Sequence, residues 1–385
     1  MQNFDYKIDT EILFGRGQIT RLGMAVRAYA KSALVVYGGG SVVRSGVLQA
    51  ALAQLEAAGV SHVELPGVQP NPRISSVRAG VRICRGQKLE AVLAVGGGSS
   101  IDCAKAIAAG ACYDGDPWDL VCEPARIRTA LPVFSVLTLA ATGSEMDAIA
   151  VISNPDTRDK KGFGASCLRP KASVLDPTYT FSVPKYQTAA GTADIMSHIL
   201  ENYFSPEEGA FIQEGFAETL LRACVKYGPA AMAKPDDYEA RANLMWASSH
   251  AINGLISLGR PVPWSVHSME HQLSAWYDLT HGVGLAILTP HWMDIVLSEQ
   301  TAPRFARYGE AVFGLHGETM ELARGAVAAT RAFFKKMELP ASLSDVGIGD
   351  KHISEMAEKA RTPAFDRTYV PLSVSDIEHI YRAAL

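Results

Sequence analysis

The sequence predicts an α/β domain built on a parallel sheet, followed by an all-helical domain. In the first half of the chain, short apolar runs alternate with helical stretches, which is typical of repeated βαβ units. From about Lys185 onward the patterns are long and helical, rich in Ala, Leu, Met and Glu, with few β-branched runs. At 385 residues the chain exceeds the usual size of a single hydrophobic core, so two domains are expected.

The first domain is predicted to contain at least four buried strands separated by helices. The strands are expected within residues 32–40, 61–67, 90–96 and 131–140, and the helices within residues 46–59, 76–88 and 101–110. Pro177 and Pro184 mark the change of pattern. We therefore predict an α/β domain over residues 1–184 and an all-helical domain over residues 185–385.

Composition and charge indicate a globular protein that acts on a small molecule. Hydrophobic residues make up 48% of the chain and charged residues 20%, and the formal net charge is −4 without a long basic run. This balance gives no electrostatic basis for binding nucleic acid or an anionic membrane. Six scattered cysteines, an N-terminus without signal-peptide features and the lack of a long apolar run predict a cytoplasmic location.

Two glycine-rich turns follow predicted strands and precede predicted helices. Gly38, Gly39 and Gly40 lead into Ser41, and residues 96–98 lead into Ser99 in the same way. Glycines allow a phosphate to approach the backbone closely, and the amides of the next helix then face the anion. One such turn is more often a tight chain reversal, but two of them, with the polar "TGSE" loop after a third strand, favour a dinucleotide. The pattern is not G-x-G-x-x-G.

The first turn favours NADP(H) over NAD(H). No acid lies between Val35 and Arg44, whereas an NAD site normally offers a carboxylate to the adenosine ribose. Gly39 and Ser41 can donate hydrogen bonds to a 2′-phosphate, and Arg44 can add a charge. The alternative is that another loop supplies the acid.

Two histidine-containing patterns in the second half are candidates for a metal site. Asp194 and His198 are four residues apart on the polar face of a predicted amphipathic helix over residues 192–204. Downstream, His267 and His271 have the same spacing, and His281 precedes a glycine. Each pair alone is more often surface or satisfied core, but a carboxylate with three imidazoles in one domain suits Fe²⁺ or Zn²⁺.

Together these segments resemble the iron-containing, or group III, alcohol dehydrogenases. The resemblance extends over essentially the whole chain and is closest to NADPH-dependent butanol dehydrogenases and broad-range aldehyde reductases. It rests on the segments "GGGSSIDCAKAIA", "TLAATGSEMDAIAVIS", "VLDPTYTFSVP", "DIMSH" and "HSMEHQLSAWYDLTHGVGLAILTP", supported by "YGGGSVVRSGVL" and "ARANLMWASSHAINGLI". It implies a dehydroquinate synthase-like fold, with a Rossmann-like N-terminal domain, an all-helical C-terminal domain and a cleft between them.

The resemblance also implies roles for individual residues. The family's four metal ligands correspond to Asp194, His198, His267 and His281, and His271 corresponds to a histidine near the nicotinamide with a proton-relay role. The cofactor positions correspond to Gly38, Gly39, Ser41, Asn71, Gly97, Gly98, Ser99, Asp102, Thr138, Ser144, Lys160 and Tyr179. Asp147 stands where relatives usually carry a neutral residue, which leaves its contacts and the substrate preference open.

The expected reaction is reversible hydride transfer between a nicotinamide and a short- to medium-chain aldehyde or primary alcohol, with a divalent metal as Lewis acid. An NAD-dependent polyol dehydrogenase of the same superfamily, acting on glycerol or a propanediol, is the closest alternative. A metal-dependent lyase or hydrolase would need no paired glycine turns, and a nucleotide-binding sensor would need no intact metal ligands. A homodimer is expected from the resemblance alone.

Overall fold

The computed structural model describes residues 1–207 and 209–385, and these residues form two compact units. The sheet unit comprises Lys7–Val183 and Pro235–Ser249, and the helical unit comprises Met1–Tyr6, Pro184–Lys234 and His250–Leu385.

The sheet unit is built on six parallel strands: β1 (Glu11–Phe14), β2 (Ser32–Tyr37), β3 (Ser61–Leu65), β4 (Ala91–Gly96), β5 (Val133–Leu137) and β8 (Ala172–Leu175). Their order in the sheet is β1-β8-β5-β4-β2-β3. Between β5 and β8, the strands β6 (Ile149–Asn154) and β7 (Asp159–Gly164) form an antiparallel hairpin. The helices of this unit are α1 (Leu22–Arg27), α2 (Ser41–Arg44), α3 (Val47–Ala57), α4 (Ile74–Gln87), α5 (Gly98–Ala111) and α6 (Pro117–Cys122).

The strands are continuously apolar because both faces of the sheet are covered. Leu34 and Val36 of β2 belong to one hydrophobic cluster, which also contains residues of α4 and α5. Val35, between them, belongs to a second cluster, which contains residues of α1 and α3. Since successive strand residues point to opposite faces, helices on both sides require apolar residues at every position. The predicted parallel-sheet domain is confirmed.

The helical unit contains α7 (Lys185–Tyr203), α8 (Phe211–Ala233), α10 (Ser265–Tyr277), α11 (His281–Val296), α12 (Ala302–Phe313), α13 (Thr319–Lys336), α14 (Ile353–Ala360) and α15 (Val374–Ala383). Local sequence explains several ends of these helices. Ser373 and Asp376 form a capping box at the start of α15, and Gly314, with φ +68°, ends α12 in the left-handed conformation.

Two short segments depart from a single boundary at Pro184. Met1–Tyr6 belongs to the helical unit, and Pro235–Ser249, with most of α9 (Tyr238–Ile252), belongs to the sheet unit. The reason for the second departure is packing: Met245 lies in a core cluster of the sheet, and the Trp246 ring contacts the Phe14 ring edge-on at 5.7 Å. Helical periodicity cannot reveal which core a helix joins.

Among the described residues, no helix is both long and apolar enough to cross a membrane.

Candidate functional site

Three helices of the helical unit carry the predicted metal ligands. Asp194 and His198 lie in α7, His267 lies in the first turn of α10, and His281 is the first residue of α11. The helices α11 and α7 approach each other at Gly282, where an added Cβ would lie only 2.0 Å from the carbonyl oxygen of Ala190. Only glycine allows this approach, which sets His281 beside α7.

The structure brings three of the predicted ligands together. One ligand atom each from Asp194, His267 and His281 can be chosen so that all lie within 4.8 Å of one another. The Nε2 atom of His281 is 3.7 Å from Oδ1 of Asp194. Asp194 and His267 are buried and His281 is partly buried, so the cluster is largely shielded from water.

His198 lies beside this group without belonging to it. Its Nδ1 is 3.4 Å from Oδ1 of Asp194, and its ring centre is 4.5 Å from that of His267. Burial, with the neighbouring His267 and His281 rings, holds the pKa of His198 well below its usual value. The ring is therefore neutral, which is the form that a metal ligand requires.

The donor set fits a divalent transition metal. The Nε2 atom of His267 is buried and has no hydrogen-bond partner among the residues that the structure describes. A buried polar atom without a partner is costly, and a cation among a carboxylate and neutral imidazoles would remove that cost. The residues present therefore suit Fe²⁺ or Zn²⁺, both of which accept oxygen and nitrogen ligands.

Two glutamates complete the cluster. Glu201, one turn after His198 in α7, accepts hydrogen bonds from the backbone N–H groups of Ser265 and His267. Glu270 of α10 is fully buried, and one of its oxygens contacts Nδ1 of His281. Sequence reasoning gave neither residue a role, although Glu201 lies on the same polar helix face as Asp194 and Glu270 lies inside the histidine motif.

His271 is placed differently from the other histidines. It is partly buried, its ring centre is 5.6 Å from that of His281, and it groups with Glu270 and His281 rather than with Asp194. A partly exposed imidazole next to the cluster can exchange protons with water, which is compatible with the relay role implied by the resemblance.

The glycine turns lie side by side in the sheet unit. The strands β5, β4 and β2 are neighbours and parallel, so the loops after them emerge from the same edge of the sheet. This edge carries Gly38, Gly39 and Ser41 after β2, and Gly97, Gly98 and Ser99 after β4. An added Cβ at Gly98 would lie 2.2 Å from Oγ1 of Thr142, so the second turn packs tightly against the loop after β5. Such an edge is where open parallel sheets bind dinucleotides.

Two of the residues expected to contact the cofactor, Asp102 and Ser144, are hydrogen-bonded to each other. The Ser144 hydroxyl donates to Oδ1 of Asp102 at 2.6 Å, and the backbone N–H of Val151 donates to Oδ2 at 2.9 Å. The ammonium of Lys105 donates to the Ser144 hydroxyl at 2.9 Å and to Asp147 at 2.5 Å. Asp147, whose contacts the sequence left open, is thus a buried ion-pair partner.

The remaining four cofactor candidates lie in four different segments of the sheet unit. Asn71 is buried in the loop after β3, with φ +51°, and the Thr138 backbone N–H donates to the carbonyl of Gly96 at 3.0 Å. Tyr179 follows β8, where burial and the charge of Asp176 raise its pKa to about 12. Lys160 is buried in β7 of the hairpin rather than in a loop at the sheet edge.

Comparison with known proteins matches both halves of the chain. The family model described as iron-containing alcohol dehydrogenase matches residues 9–177, and its C-terminal companion matches residues 188–385. The chain is 53% identical to NADH-dependent butanol dehydrogenase A of Clostridium acetobutylicum, covering 99% of each chain. It is 38% identical to the NADPH-dependent aldehyde reductase YqhD of Escherichia coli, covering 100% of each.

A solved structure agrees with these matches. NADH-dependent butanol dehydrogenase A of Thermotoga maritima superimposes with a TM-score of 0.95 at 40% identity, covering 100% of this chain and 99% of the other. The chain therefore belongs to the iron-containing alcohol dehydrogenase family and is an alcohol or aldehyde oxidoreductase.

Proposed function

We propose that the chain is a metal-dependent, NADP(H)-dependent reductase of short- to medium-chain aldehydes, with the corresponding primary alcohols as products. The main observation behind this proposal is that Asp194, His267 and His281 lie close together. Within this group, the buried Nε2 atom of His267 has no hydrogen-bond partner among the described residues. A buried cluster with spare ligand capacity is the part of the helical unit suited to hold a catalytic cation.

The roles of the residues follow from their positions. Asp194, His267 and His281 would hold the metal, and His198 would complete the set through a small adjustment of its neutral ring toward Asp194. When bound, the metal supplies Lewis-acid polarisation of the carbonyl oxygen, and the reduced nicotinamide supplies the hydride. The balanced reaction consumes one aldehyde, one NADPH and one proton, and yields one alcohol and one NADP⁺.

His271 is the residue that we propose for proton delivery. The alcohol oxygen needs one proton for each hydride that reaches the carbonyl carbon, and His271 lies next to His281 with part of its ring exposed. It can therefore take a proton from water and pass it on, whereas the buried His198 cannot exchange so readily.

Cofactor preference rests on the first glycine turn. The Arg44 Nη1 atom lies 2.8 Å from the position that a Cβ on Gly40 would take, so the guanidinium folds over the turn. A cation there and no acid between Val35 and Arg44 favour a 2′-phosphate. The names of the relatives include both NADH-dependent and NADPH-dependent enzymes, so this point needs its own measurement.

That measurement is the ratio of kcat/KM for NADPH to kcat/KM for NADH. We expect the native chain to prefer NADPH and Arg44→Ala to lower the ratio by about tenfold, the size of one hydrogen bond to a charged group. Arg27→Ala, a change at an exposed arginine ending α1, is the control and should leave the ratio unchanged. A native preference for NADH would contradict the NADP(H) assignment.

The decisive experiment for the whole proposal is metal analysis combined with turnover. Purified protein is assayed for bound iron and zinc, then for NADPH and NADH oxidation with a series of linear aldehydes and with glycerol and propanediols in the reverse direction, before and after chelation. We expect chelation to abolish turnover and Fe²⁺ or Zn²⁺ to restore it. Unchanged turnover in fully metal-free protein would refute the mechanism, and faster oxidation of polyols with NAD⁺ would favour the polyol dehydrogenase.

Light scattering on the same sample tests the homodimer that we propose.

A further inference from the structure

Glu201 makes four contacts with Ser265 and His267 at the start of α10. Its Oε2 accepts from the backbone N–H of Ser265 at 2.9 Å and from the Ser265 hydroxyl at 3.2 Å. Its Oε1 accepts from the backbone N–H of His267 at 2.9 Å and lies 3.2 Å from Nδ1 of the same residue. A carboxylate at a helix N-terminus is stabilising in itself, but the contact with the imidazole ring adds a second consequence.

Glu270 makes the corresponding contact with His281. One oxygen of Glu270 contacts Nδ1 of His281, and the other accepts from the Ser274 hydroxyl at 2.5 Å. Room for this side chain is made by Gly284, where an added Cβ would lie 2.7 Å from Cγ of Glu270. The second glycine of the "HGVG" segment thus accommodates the carboxylate, while the first allows α11 to approach α7.

The two contacts have the same chemical effect on the two rings. A neutral imidazole carries its proton on one nitrogen and a lone pair on the other, and a carboxylate beside Nδ1 keeps the proton there. The lone pair is then on Nε2. In His267 this is the buried atom without a partner, and in His281 it is the atom 3.7 Å from Asp194.

Glu270 has a second possible role, since its carboxylate, His271 and His281 also offer ligand atoms within 4.8 Å of one another. A second cation there would need the oxygens of Glu270. Both are already engaged, by Ser274 and by His281, and the side chain is 0% exposed. The contacts therefore favour an orienting role over a second metal position.

We propose that Glu201 and Glu270 are positioning residues that hold His267 and His281 with Nε2 directed at a divalent cation, and that they thereby set the affinity for that cation. The inference rests on the proposed function, in which Asp194, His267 and His281 bind the metal. Both glutamates act through the ring that they contact and neither touches the substrate.

The test is Zn²⁺ binding to the metal-free full-length protein, measured by competition with a chromophoric chelator. We expect Glu201→Gln and Glu270→Gln each to weaken Zn²⁺ binding by about 10-fold to 100-fold, as is typical of residues that orient metal ligands. Glutamine is nearly isosteric, but it lacks the charge that favours a proton on Nδ1. The matched control is Glu218→Gln, which alters a buried carboxylate of the same unit that accepts from Tyr203 at 3.0 Å. It should leave Zn²⁺ affinity unchanged.

A second variant avoids any change of charge or ligand. Gly284→Ala should displace the Glu270 side chain and reproduce the loss of affinity seen with Glu270→Gln, while Asp194, His267 and His281 all remain. The visible absorption of the Co²⁺-loaded protein provides a further reading, because it reports ligand geometry rather than fold. We expect altered band intensities in all three variants and an unaltered spectrum in Glu218→Gln.

Three results would separate the inference from the proposed function. Zn²⁺ affinity within twofold of the native value in Glu201→Gln and Glu270→Gln would overturn the positioning role. Two Zn²⁺ ions per native chain and one in Glu270→Gln would make Glu270 a ligand and would also overturn it. If the native protein binds no divalent cation, the proposed function itself fails. Melting temperatures of the metal-free variants show whether a loss of affinity reflects a loss of fold.

Discussion

Each of the two units contains a buried polar cluster, and the two clusters differ in whether their polar atoms have partners. The candidate metal cluster of the helical unit consists of Asp194, His267 and His281, with His198 beside it, and the Nε2 atom of His267 has no partner among the described residues. The Lys105 cluster of the sheet unit consists of Asp102, Lys105, Ser144 and Asp147.

In the Lys105 cluster, the hydrogen-bonding capacity of the cation is used completely. The three ammonium protons of Lys105 go to Ser144, Asp147 and the carbonyl of Ile149, at 2.9, 2.5 and 2.7 Å. Burial still raises the pKa of Asp102 to about 6, although the nearby Lys105 ammonium and the Ser144 hydrogen bond both act to lower it. A cluster whose polar atoms all bond to one another holds α5 against the loop after β5. A cluster that contains a polar atom without a partner can instead bind a ligand.

The largest effect is expected from removing a ligand. His267→Ala, and likewise His198→Ala, should abolish bound metal and lower turnover on the order of a thousandfold, the equivalent of about 4 kcal/mol of Lewis-acid stabilisation. The fold should persist in His267→Ala, because Glu201 loses its contact with the ring but keeps the backbone N–H groups of Ser265 and His267 as donors. Metal content and turnover are measured beside a thermal melt. If His198→Ala keeps both metal and activity, the ligand set is limited to the three residues that already converge.

The next largest effect is expected in the Lys105 cluster. Lys105→Met leaves Asp147 buried without its cation and should destabilise the sheet unit by about 3–5 kcal/mol. Lys161→Met, at an exposed lysine 3.8 Å from Asp159, is the control and should cost less than about 1 kcal/mol. Urea unfolding measures both variants. A small change in Lys105→Met would show that the network does not brace the loop.

Glu145 also has a buried polar atom without a hydrogen-bond partner among the described residues, so it tests whether such an atom always indicates a ligand site. One of its oxygens is 2.5 Å from the Ser249 hydroxyl, while Oε2 is buried and has no partner in the described part of the chain. Burial raises its pKa from 4.5 to about 7. Here the cost is removed by protonation rather than by a cation, since an uncharged carboxyl tolerates an apolar site better than a carboxylate.

The pH dependence of stability follows from the direction of this shift. Below about pH 4.5 Glu145 is protonated in both the folded and the unfolded chain and costs nothing. Between pH 4.5 and pH 7 the unfolded chain ionises first, so stability falls as pH rises, by about 3 kcal/mol in total, and stays lower above pH 7. Glu145→Gln should remove this contribution. We expect the variant to be more stable than the native chain at pH 8 by more than at pH 5, as measured by urea unfolding. An equal difference at both pH values would contradict the assigned pKa.

Much of the fold and part of the site could be predicted because their causes are local. Alternating apolar runs and glycine turns predicted the parallel sheet and its ligand edge, and the i, i+4 spacings placed Asp194, His198 and His267 on helix faces. The assignment of Pro235–Ser249 could not be predicted, because an apolar helix face fits either core equally well. The carboxylates of Glu201 and Glu270 were overlooked for a similar reason, since a glutamate on a polar face is normally solvated.

Sequence by itself determined the two classes of architecture and the residue types that can bind a cation. Those properties depend on hydrophobic periodicity, glycine turns and the chemistry of individual side chains, which act over a few residues. Only the tertiary structure decided which polar groups meet. Asp102 accepts hydrogen bonds from Ser144 and from the Val151 backbone, and Ser144 also accepts from Lys105, while Nε2 of His267 has no partner among the described residues. Whether a buried polar atom has a partner depends on contacts between segments tens of residues apart, and no local pattern encodes them.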